Sequence, residues 1–488
     1  MQNNIIRAGI ALIAAAMLTT ACNTNDDETQ PISTSQSQTA QRTFTVSIPA
    51  TFNGNSSLTK ALTIGGTDDA PTAIGRFEES EKVYVYNKTN DFYLEGYLSP
   101  TNISSNGKNC TLSGTLTGDI SADDELTLFY NMNVFYFDGP VVSCYFDYTF
   151  QSGTETDLLD GCMATGIKFE SYESNTLTTD KPANFEPAQS VFRFMFKDED
   201  GNAINVKTLF VKSQNDMIVT GLYHDGPVYN DAISLNLANA STNPYMSLCF
   251  ANGNDNNDNL DFTVVDADGN VYKGTKAAPE GGFQNGFFYY NSEPIKVEKQ
   301  RNLHHPTITW TSVDPYSTIP NEYNYYTVRG VYNSTTHSVD PPVFTIGGES
   351  EGFGFSCGGT ITFDKLNATL DGNTPFFWGT NLNIEIKGTN EIDCSNCLCA
   401  IVCEEGEGVL KLSGEGTLKI TCNKNTGGLC GQGYYNDECD PSVLAADGYT
   451  VTRTKKDNGD NTYTYTYQVY KSGAGGDQGG DPNGPDDF

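Results

Sequence analysis

The stretch Thr43-Phe-Thr-Val-Ser-Ile48 decides the fold, because its side chains alternate between apolar and polar along the chain. Phe44, Val46 and Ile48 fall on one face of an extended strand, and the intervening Thr and Ser residues fall on the other. Runs with the same period of two recur downstream between Asn, Asp and Gly turn residues. Apolar residues at helical spacing are almost absent. The sequence therefore predicts an all-β protein built from β-sandwiches.

A second block of strands opens at Ser190, where Phe192, Phe194 and Phe196 share one face. Asp-Gly pairs at 200–201 and 268–269 lie between strand-like runs, and such pairs favour the tight turns of hairpins. Calcium binding is the alternative, but an EF-hand loop supplies ligands from about six spaced positions. These loops supply ligands at only two or three of such spaced positions. We therefore expect plain turns, and no metal site.

The N-terminus has the order of an export signal. Arg7 supplies a positive charge, and Ala8–Ala21 is an apolar run too short to span a membrane as a helix. The run ends in Leu18-Thr-Thr-Ala-Cys22, which resembles a bacterial lipobox and implies lipidation of Cys22. An ordinary secretory signal cut nearby is the alternative. Residues 1–21 are thus predicted to be a signal peptide, and residues 22–42 a lipidated flexible tether.

The acidic stretch that follows Cys22, Asn-Asp-Asp-Glu28, resembles the surface-export signal of Bacteroidota lipoproteins. It implies a lipid-anchored protein exposed on the cell outer membrane. No later window is apolar enough for a membrane-spanning helix, so lipid is the expected attachment. The formal net charge of −33 over 488 residues argues against nucleic acid as a partner, because such a surface repels phosphate.

The region from Thr43 to Val297 resembles the fimbrillin family of Bacteroidota lipoproteins. The motifs that carry the resemblance are Thr59-Lys-Ala61, the acidic strand entry Phe77–Tyr86, the Phe192 run, and Phe287-Phe-Tyr-Tyr290 before Ile295-Lys-Val297. The resemblance implies tandem transthyretin-like β-sandwich domains, at residues 43–189 and 190–300. It also implies a role as a pilus subunit, anchor or adhesin, with other fimbrial subunits or host and microbial surface ligands as partners.

Pilus subunits of that family are matured by cleavage after a basic residue, which removes a first strand and opens a groove for a neighbour's strand. An open sheet edge presents unpaired N–H and C=O groups that a donor strand satisfies. The candidate cleavage positions are Arg42, which would leave the first strand in place, and Lys60, which would remove it. The alternative is that both are ordinary surface cations.

The sequence changes character after a Tyr- and Pro-containing linker, residues 301–340, and becomes rich in Gly and Cys over residues 341–471. Short alternating strands recur there at roughly 20 to 26 residues, a period typical of solenoids. The region resembles the short right-handed parallel β-helix domains described as carbohydrate-binding. A short right-handed β-solenoid is therefore predicted, with antiparallel hairpins as the alternative. Residues 472–488 form an acidic tail that we expect to be disordered.

Eight of the 13 cysteines lie between Cys357 and Cys439. Cys397, Cys399 and Cys403 on one extended strand would spread over about 20 Å, too far for one zinc ion. A ladder of buried core cysteines is the first interpretation and disulfides are the second, because the chain is exported. The pairing does not follow from the sequence.

A glycan-binding surface in the C-terminal domain is the alternative function. Aromatic rings would stack on sugars and polar groups would orient them. The candidate ligand residues are Phe376, Phe377, Trp378, Asn383, Tyr434, Tyr435 and Asp437. A second aromatic row, Tyr463, Tyr465 and Tyr467, is interpreted first as a packed strand face.

Catalytic residues are not predicted. Gly348-Glu-Ser-Glu-Gly352 matches the nucleophile elbow, but the residues that follow are too rich in Gly to start the helix that an elbow needs. Phosphate loops, dinucleotide fingerprints and zinc-protease motifs are lacking. A polysaccharide lyase is the enzymatic alternative, but a short solenoid offers little cleft. We therefore expect no cofactor and no enzyme, and a fimbrial tip, accessory or adhesin subunit.

Overall fold

The computed structural model describes most of the chain from residue 42 to residue 473. The described residues are 42–52, 63–67, 70–74, 76–130, 133–136, 141–149, 151–154, 161–173, 176–213, 218–223, 226–229, 232–250, 258–290, 293–321, 324–333, 336, 338–371, 375–396, 399–403, 409–424, 427–430 and 444–473. The predicted signal peptide, the tether up to residue 41 and the tail from residue 474 lie outside them.

Extended strands make up nearly all the regular structure in these residues, with a short 3-10 helix at Pro315–Thr318. The strands of the first half are β1 Arg42–Phe52, β2 Thr63–Thr67, β3 Ala70–Ile74, β4 Val83–Asn87, β5 Phe92–Tyr93, β6 Glu95–Thr101, β7 Asn109–Gly118, β8 Glu125–Tyr130, β9 Asn133–Tyr136, β10 Val141–Asp147, β11 Cys162–Glu173, β12 Thr176–Thr179, β13 Ala183–Pro187, β14 Ser190–Arg193, β15 Phe196–Lys197, β16 Val206–Ser213, β17 Ile218–Tyr223, β18 Gly226–Tyr229 and β19 Ala232–Ser241.

The second half continues in the same way. Its strands are β20 Tyr245–Phe250, β21 Leu260–Asp266, β22 Asn270–Lys276, β23 Phe288–Tyr290, β24 Ile295–Lys296, β25 Glu298–His304, β26 Thr307–Ser312, β27 Tyr325–Thr327, β28 Val331–Asn333, β29 Ser338–Asp340, β30 Val343–Glu351, β31 Gly354–Ser356, β32 Gly359–Asp371, β33 Phe377–Gly379, β34 Leu382–Asn396, β35 Cys399–Cys403, β36 Leu410–Asn423, β37 Gly427–Cys430, β38 Tyr449–Asp457 and β39 Thr462–Lys471.

The first block is a sheet that closes on itself. Its strand order is β1-β13-β11-β8-β4-β6-β7, and β7 pairs back onto β1. The closed sheet surrounds a core that includes Val83, Leu98, Leu112, Leu128 and Phe185. Because every strand of this ring has two neighbours, the first block has no open edge along the ring.

The second block combines two sheets around an aromatic core. One sheet has the order β23-β14-β20-β17-β10-β9, and the other begins β19-β16-β21-β22. Phe194 and Phe196 both pack edge-to-face on Phe262, with ring centroids 5.2 and 5.3 Å apart. Strands β9 and β10 come from the first half of the chain, so the chain leaves the ring after β8, adds a hairpin to the second block and returns at β11.

The C-terminal block consists of two parallel ladders that the chain visits alternately. Strands β30, β32, β34 and β36 form one ladder, and β27, β31, β33, β35 and β37 form the other. The long strands of the first ladder contain residues with positive φ, namely Gly348 (71°), Lys365 (55°), Gly388 (66°) and Gly414 (89°). At Gly414 a Cβ would lie 2.5 Å from the carbonyl oxygen of Ile386, so only glycine fits this approach of neighbouring strands.

Antiparallel strands cover both ends of the first ladder. At one end β25 and β26 pair with β30, and β25 also pairs with β22 of the second block. At the other end β39 pairs with β36, and β38 pairs with β39. Parallel ladders expose unpaired backbone groups at their ends, and these flanking strands satisfy them.

The predicted all-β class with β-sandwich blocks is confirmed. The right-handed solenoid stays a prediction, to which the parallel pairing of β30 to β37 adds support over antiparallel hairpins. The domain limits also stay predictions. Residues 301–340, predicted as a linker, contain β26 to β29. The position of β9 and β10 in the second block was not predicted from the sequence.

Candidate functional site

The first strand, β1, lies between two neighbours that run in opposite directions. On one side it is antiparallel to β7, from Arg42 opposite Gly118 to Thr51 opposite Asn109. On the other side it is parallel to β12 at Thr45 and Val46, and to β13 from Ala50 to Phe52. This strand therefore connects β7 to β12 and β13. Without it, the edges of all three strands would be open.

The apolar side chains of β1 fill a slot in the core of the first block. Phe44, Val46, Ile48, Ala50 and Phe52 are all buried, and the residues between them from Thr43 to Pro49 are exposed. The alternation seen in the sequence thus separates core from solvent on this strand. Phe52 ends the row in a cluster of rings, 4.1 Å from Phe77 and 5.8 Å from Phe185 between centroids.

The two candidate cleavage positions flank this strand. Arg42 is its first residue. Lys60 lies outside the described residues, in the segment between β1 and β2, and Cys22 also lies outside them. Cleavage after Lys60 would separate β1 covalently from the rest of the ring, whereas cleavage after Arg42 would leave it attached. Both positions stay predictions.

Two of the predicted glycan-binding residues lie in the core and not on a surface. Phe376 and Phe377 are fully buried in the C-terminal block, and the Phe377 ring stacks on Phe355 with centroids 5.5 Å apart. A ring in this position cannot contact a sugar, so the prediction is wrong for these two residues. Their apolar side chains pack in the core between the two ladders.

The other members of the glycan set are partly described. Trp378 is 37% exposed. Asn383 is half-buried, and its Oδ1 accepts a hydrogen bond from Ser413 at 3.3 Å. Tyr434, Tyr435 and Asp437 lie outside the described residues. Among the described residues, Trp378 and Asn383 alone remain available to a ligand from this set.

The tyrosine row of β39 is largely a packed face. Tyr465 and Tyr467 are buried in the core of the C-terminal block, and Tyr463 packs against it. The ammonium of Lys455 lies 4.0 Å from the centre of the Tyr463 ring and covers its outer side. The structural interpretation of this row is therefore confirmed.

The two Asp-Gly loops are turns whose carboxylates are used locally. Asp198 accepts hydrogen bonds from the Asn202 side-chain amide at 3.0 Å and from the Asn202 backbone N–H at 2.8 Å, and these bonds lower the pKa of Asp198. Asp266 accepts from the backbone N–H of Asn270 at 2.9 Å and from the Tyr272 hydroxyl at 3.0 Å. Within the described residues no group of three or more His, Cys, Asp or Glu side chains could hold a metal ion.

The described cysteines of the C-terminal block are buried, as the core interpretation predicted. Cys394 and Cys422 are opposite each other in the parallel pair β34–β36 and have no exposed surface. The Cys399 thiol lies 3.2 Å from the carbonyl oxygens of Ile401 and Gly428. Cys397 and Cys439 lie outside the described residues, so the pairing pattern stays open.

Ser350, the central residue of the elbow-like motif, lies inside β30 and is buried opposite Ala368. The next element is the short strand β31 and not a helix. A nucleophile elbow needs a strand-to-helix turn that exposes the hydroxyl. This arrangement agrees with the interpretation of the motif as a chance match.

Two features were not predicted from the sequence. Tyr332 and Val339 face each other across the β28–β29 hairpin and are 60% and 62% exposed. His305 is half-buried and its Nε2 lies 2.7 Å from the Tyr326 hydroxyl. The adjacent histidines 304 and 305 before Pro306 are the one sequence signal that could have indicated the His305 contact.

No protein-family model matches the sequence, and no curated protein matches it. Within the described residues no helix is long and apolar enough to cross a membrane. Solved structures resemble the chain only distantly. A candidate cell adhesion protein of Bacteroides uniformis superposes with a TM-score of 0.29 and 10% identity, over 52% of this chain and 97% of its own.

Two further solved structures give similar results. A candidate cell adhesion protein of Bacteroides ovatus has a TM-score of 0.28 and 13% identity, over 52% of this chain and 95% of its own. The basal pilin SpaE of Lactobacillus rhamnosus GG has a TM-score of 0.15 and 8% identity, over 50% of this chain and 89% of its own. Superpositions of this quality do not establish a shared fold.

Proposed function

We propose that the protein is a lipid-anchored surface subunit, fimbrial or adhesive, that assembles by exchange of the strand in the β1 slot. The observation that carries the proposal is the position of β1. It is bonded on both sides, and it fills the core with one row of five apolar side chains. A segment with a basic residue, Lys60, follows it.

The energetics of the slot favour replacement over vacancy. Each buried side chain of this row contributes about 1.5 to 3 kcal/mol relative to exposure, with less for Ala50. Losing β1 would also expose the backbone groups of β7, β12 and β13 that it now satisfies. A donor strand with the same apolar alternation would recover both contributions. Exchange would therefore change the free energy little, whereas leaving the slot empty would cost all of it.

The C-terminal block supports an accessory position and not a repeating stalk position. Strand β38 lies at the edge of its sheet among the described residues, and carries Arg453, Lys455 and Lys456. Cations on an edge strand oppose pairing with another chain. A protein with a strand slot in its first block and a cation-protected edge strand in its C-terminal block would end an assembly.

Attachment is proposed to occur through lipid on Cys22, which would hold the protein at the outer membrane with its acidic surface toward the medium. The strongly negative charge supports a surface in contact with solvent and opposes nucleic acid as a partner. A glycan-binding role retains only Trp378 and Asn383 among its described residues, and no second function is proposed on them.

The proposal is tested by treating purified protein with a trypsin-like protease and running it unboiled on a denaturing gel. We expect cleavage after Lys60, confirmed by mass spectrometry, and short detergent-resistant complexes such as dimers. The matched variant Lys60→Gln should stay monomeric, whereas Arg42→Gln should behave as the wild type. Monomer alone after verified cleavage would contradict strand exchange, and a ladder of many rungs would contradict the accessory position.

A further inference from the structure

The link between the second block and the C-terminal block passes through His305. This residue joins β25, which pairs with β22 of the second block, to β26, which pairs with β30 of the first ladder. Its backbone N–H donates to the carbonyl of Gly269 at 2.9 Å, in the turn between β21 and β22. The chain is thus bonded to the second block and, at His304, to β30 before this residue, and to β30 of the ladder after it.

The imidazole of His305 sits in an aromatic cage built from both blocks. Its ring centroid lies 6.2 Å from that of Phe210 on β16 of the second block. It lies 6.1 Å from the Tyr326 ring and 5.1 Å from the Phe353 ring, both from the C-terminal block. The side chain therefore fills the space where the two cores meet.

The hydrogen bonds of the ring suit its neutral form. In the neutral ring one nitrogen carries no proton, so Nε2 can accept a hydrogen bond from the Tyr326 hydroxyl, 2.7 Å away. Protonation would turn Nε2 into a donor, and the Tyr326 hydroxyl would lose its acceptor inside an aromatic cage.

Nearby charged groups do not offset the cost of protonating the His305 ring. Desolvation among the surrounding rings lowers the pKa of His305 to about 4, the Pro306 backbone opposes this shift, and the neighbouring His304 adds to it. His304 faces the other way, with Nε2 3.8 Å from the Glu349 carboxylate. Asp266 is engaged by Asn270 and Tyr272, and Asp268 lies on the same turn. The groups that act on the His305 pKa include no carboxylate.

We propose that the His305 cage, formed by Phe210, Tyr326 and Phe353, is an acid-sensitive joint that loosens the C-terminal block from the second block when the surroundings acidify. The proposal is independent of the strand exchange proposed above. It concerns how firmly the C-terminal block is presented at the end of the molecule, and not how the molecule assembles.

The size of the response follows from linkage. An opened joint exposes the imidazole to water, where its pKa returns to its ordinary value of 6.5, while the closed joint keeps the pKa at about 4. The opened population should therefore rise about thirtyfold between pH 7.5 and pH 5. Because the folded pKa is lowered, the joint is firmest above pH 6.5 and weakens as pH falls toward 4.

Hydrogen exchange of the full chain at pH 7.5 and pH 5, corrected for the intrinsic pH dependence of exchange, tests the proposal. Amides of β25 and β26 should exchange about thirtyfold faster at pH 5, while those of β34, deep in the ladder, should not change. The variant His305→Gln cannot be protonated and should lose the acid response. The control His304→Gln should retain it, because that histidine lies outside the cage.

A second measurement covers the case in which His305→Gln does not fold. The chain has four histidines, so NMR of histidine-labelled wild-type protein can follow each ring separately. We expect one imidazole to stay neutral down to about pH 5. An equal acid response in wild type and His305→Gln, or titration of all four rings near pH 6.5, would overturn the proposal.

Discussion

Asn390 is a fully buried polar side chain in the bend of the first ladder, and it is completely engaged. Its Oδ1 accepts from the backbone N–H of Leu366 at 2.8 Å, and its Nδ2 donates to the carbonyl of Lys387 at 3.1 Å. It thus ties β34 to the neighbouring strand where Lys365 and Gly388 turn the backbone. A polar group can be buried at little cost only when its partners are supplied in this way.

The variant Asn390→Ala should lower the free energy of unfolding of the C-terminal block by about 2 kcal/mol, because the Leu366 N–H would stay buried without an acceptor. Asn367→Ala, on the exposed face of β32, is the control and should cost less than about 0.5 kcal/mol. Urea unfolding followed by tryptophan fluorescence is suitable, since both tryptophans, Trp310 and Trp378, lie in this block. Equal midpoints for the two variants would contradict the role of Asn390.

Strand β1 shows at the scale of one element how a period of two becomes a core and a surface. Its buried row and its exposed row were both predicted from the sequence, because alternation determines which face turns inward. Its neighbours were not predicted. Pairing with β7, β12 and β13 depends on segments far away in sequence, and the alternation is compatible with many partners.

Replacing Ile48 by Ala should lower the free energy of unfolding of the first block by about 3 kcal/mol, because the cavity would lie in a closed core. The adjacent Ser47→Ala, on the exposed face, should change it by less than about 0.5 kcal/mol. Hydrogen exchange of β7 and β13 amides reports the difference, since both strands pair with β1. Similar protection in both variants would show that β1 does not hold the ring closed.

Strand β38 is expected to resist pairing with another chain, whereas β1 is expected to be exchangeable. Substituting Arg453, Lys455 and Lys456 together by Thr removes the edge cations, so the exposed edge should pair with a second copy with a Kd on the order of 10 µM. Sedimentation velocity measures this self-association. The exposed lysines Lys276 and Lys299, changed together to Thr, are the control and should leave the protein monomeric. A monomeric β38 variant would contradict the guarding role of the cations.

At the scale of the whole molecule, the class of fold was predictable from the sequence, whereas the long-range arrangement was not. Phe376 and Phe377 illustrate the limit, because an aromatic pair has the same composition in a core as on a ligand surface. The transfer of β9 and β10 into the second block and the packing of His305 between two cores also depend on contacts distant in sequence. Periodicity shows which face of a strand is buried, but not which other segments that face packs against.

The most direct measurement of strand exchange uses a fluorescent peptide with the sequence of residues 42–52. After cleavage at Lys60, the protein should capture this peptide, with a rise in anisotropy and protection of β7 amides from exchange. Uncleaved protein should not capture it, and neither should cleaved protein offered the peptide with Ile48→Asp, since a carboxylate cannot enter the apolar slot. Equal anisotropy for cleaved and uncleaved protein would contradict the exchangeable β1 strand on which the proposed function depends.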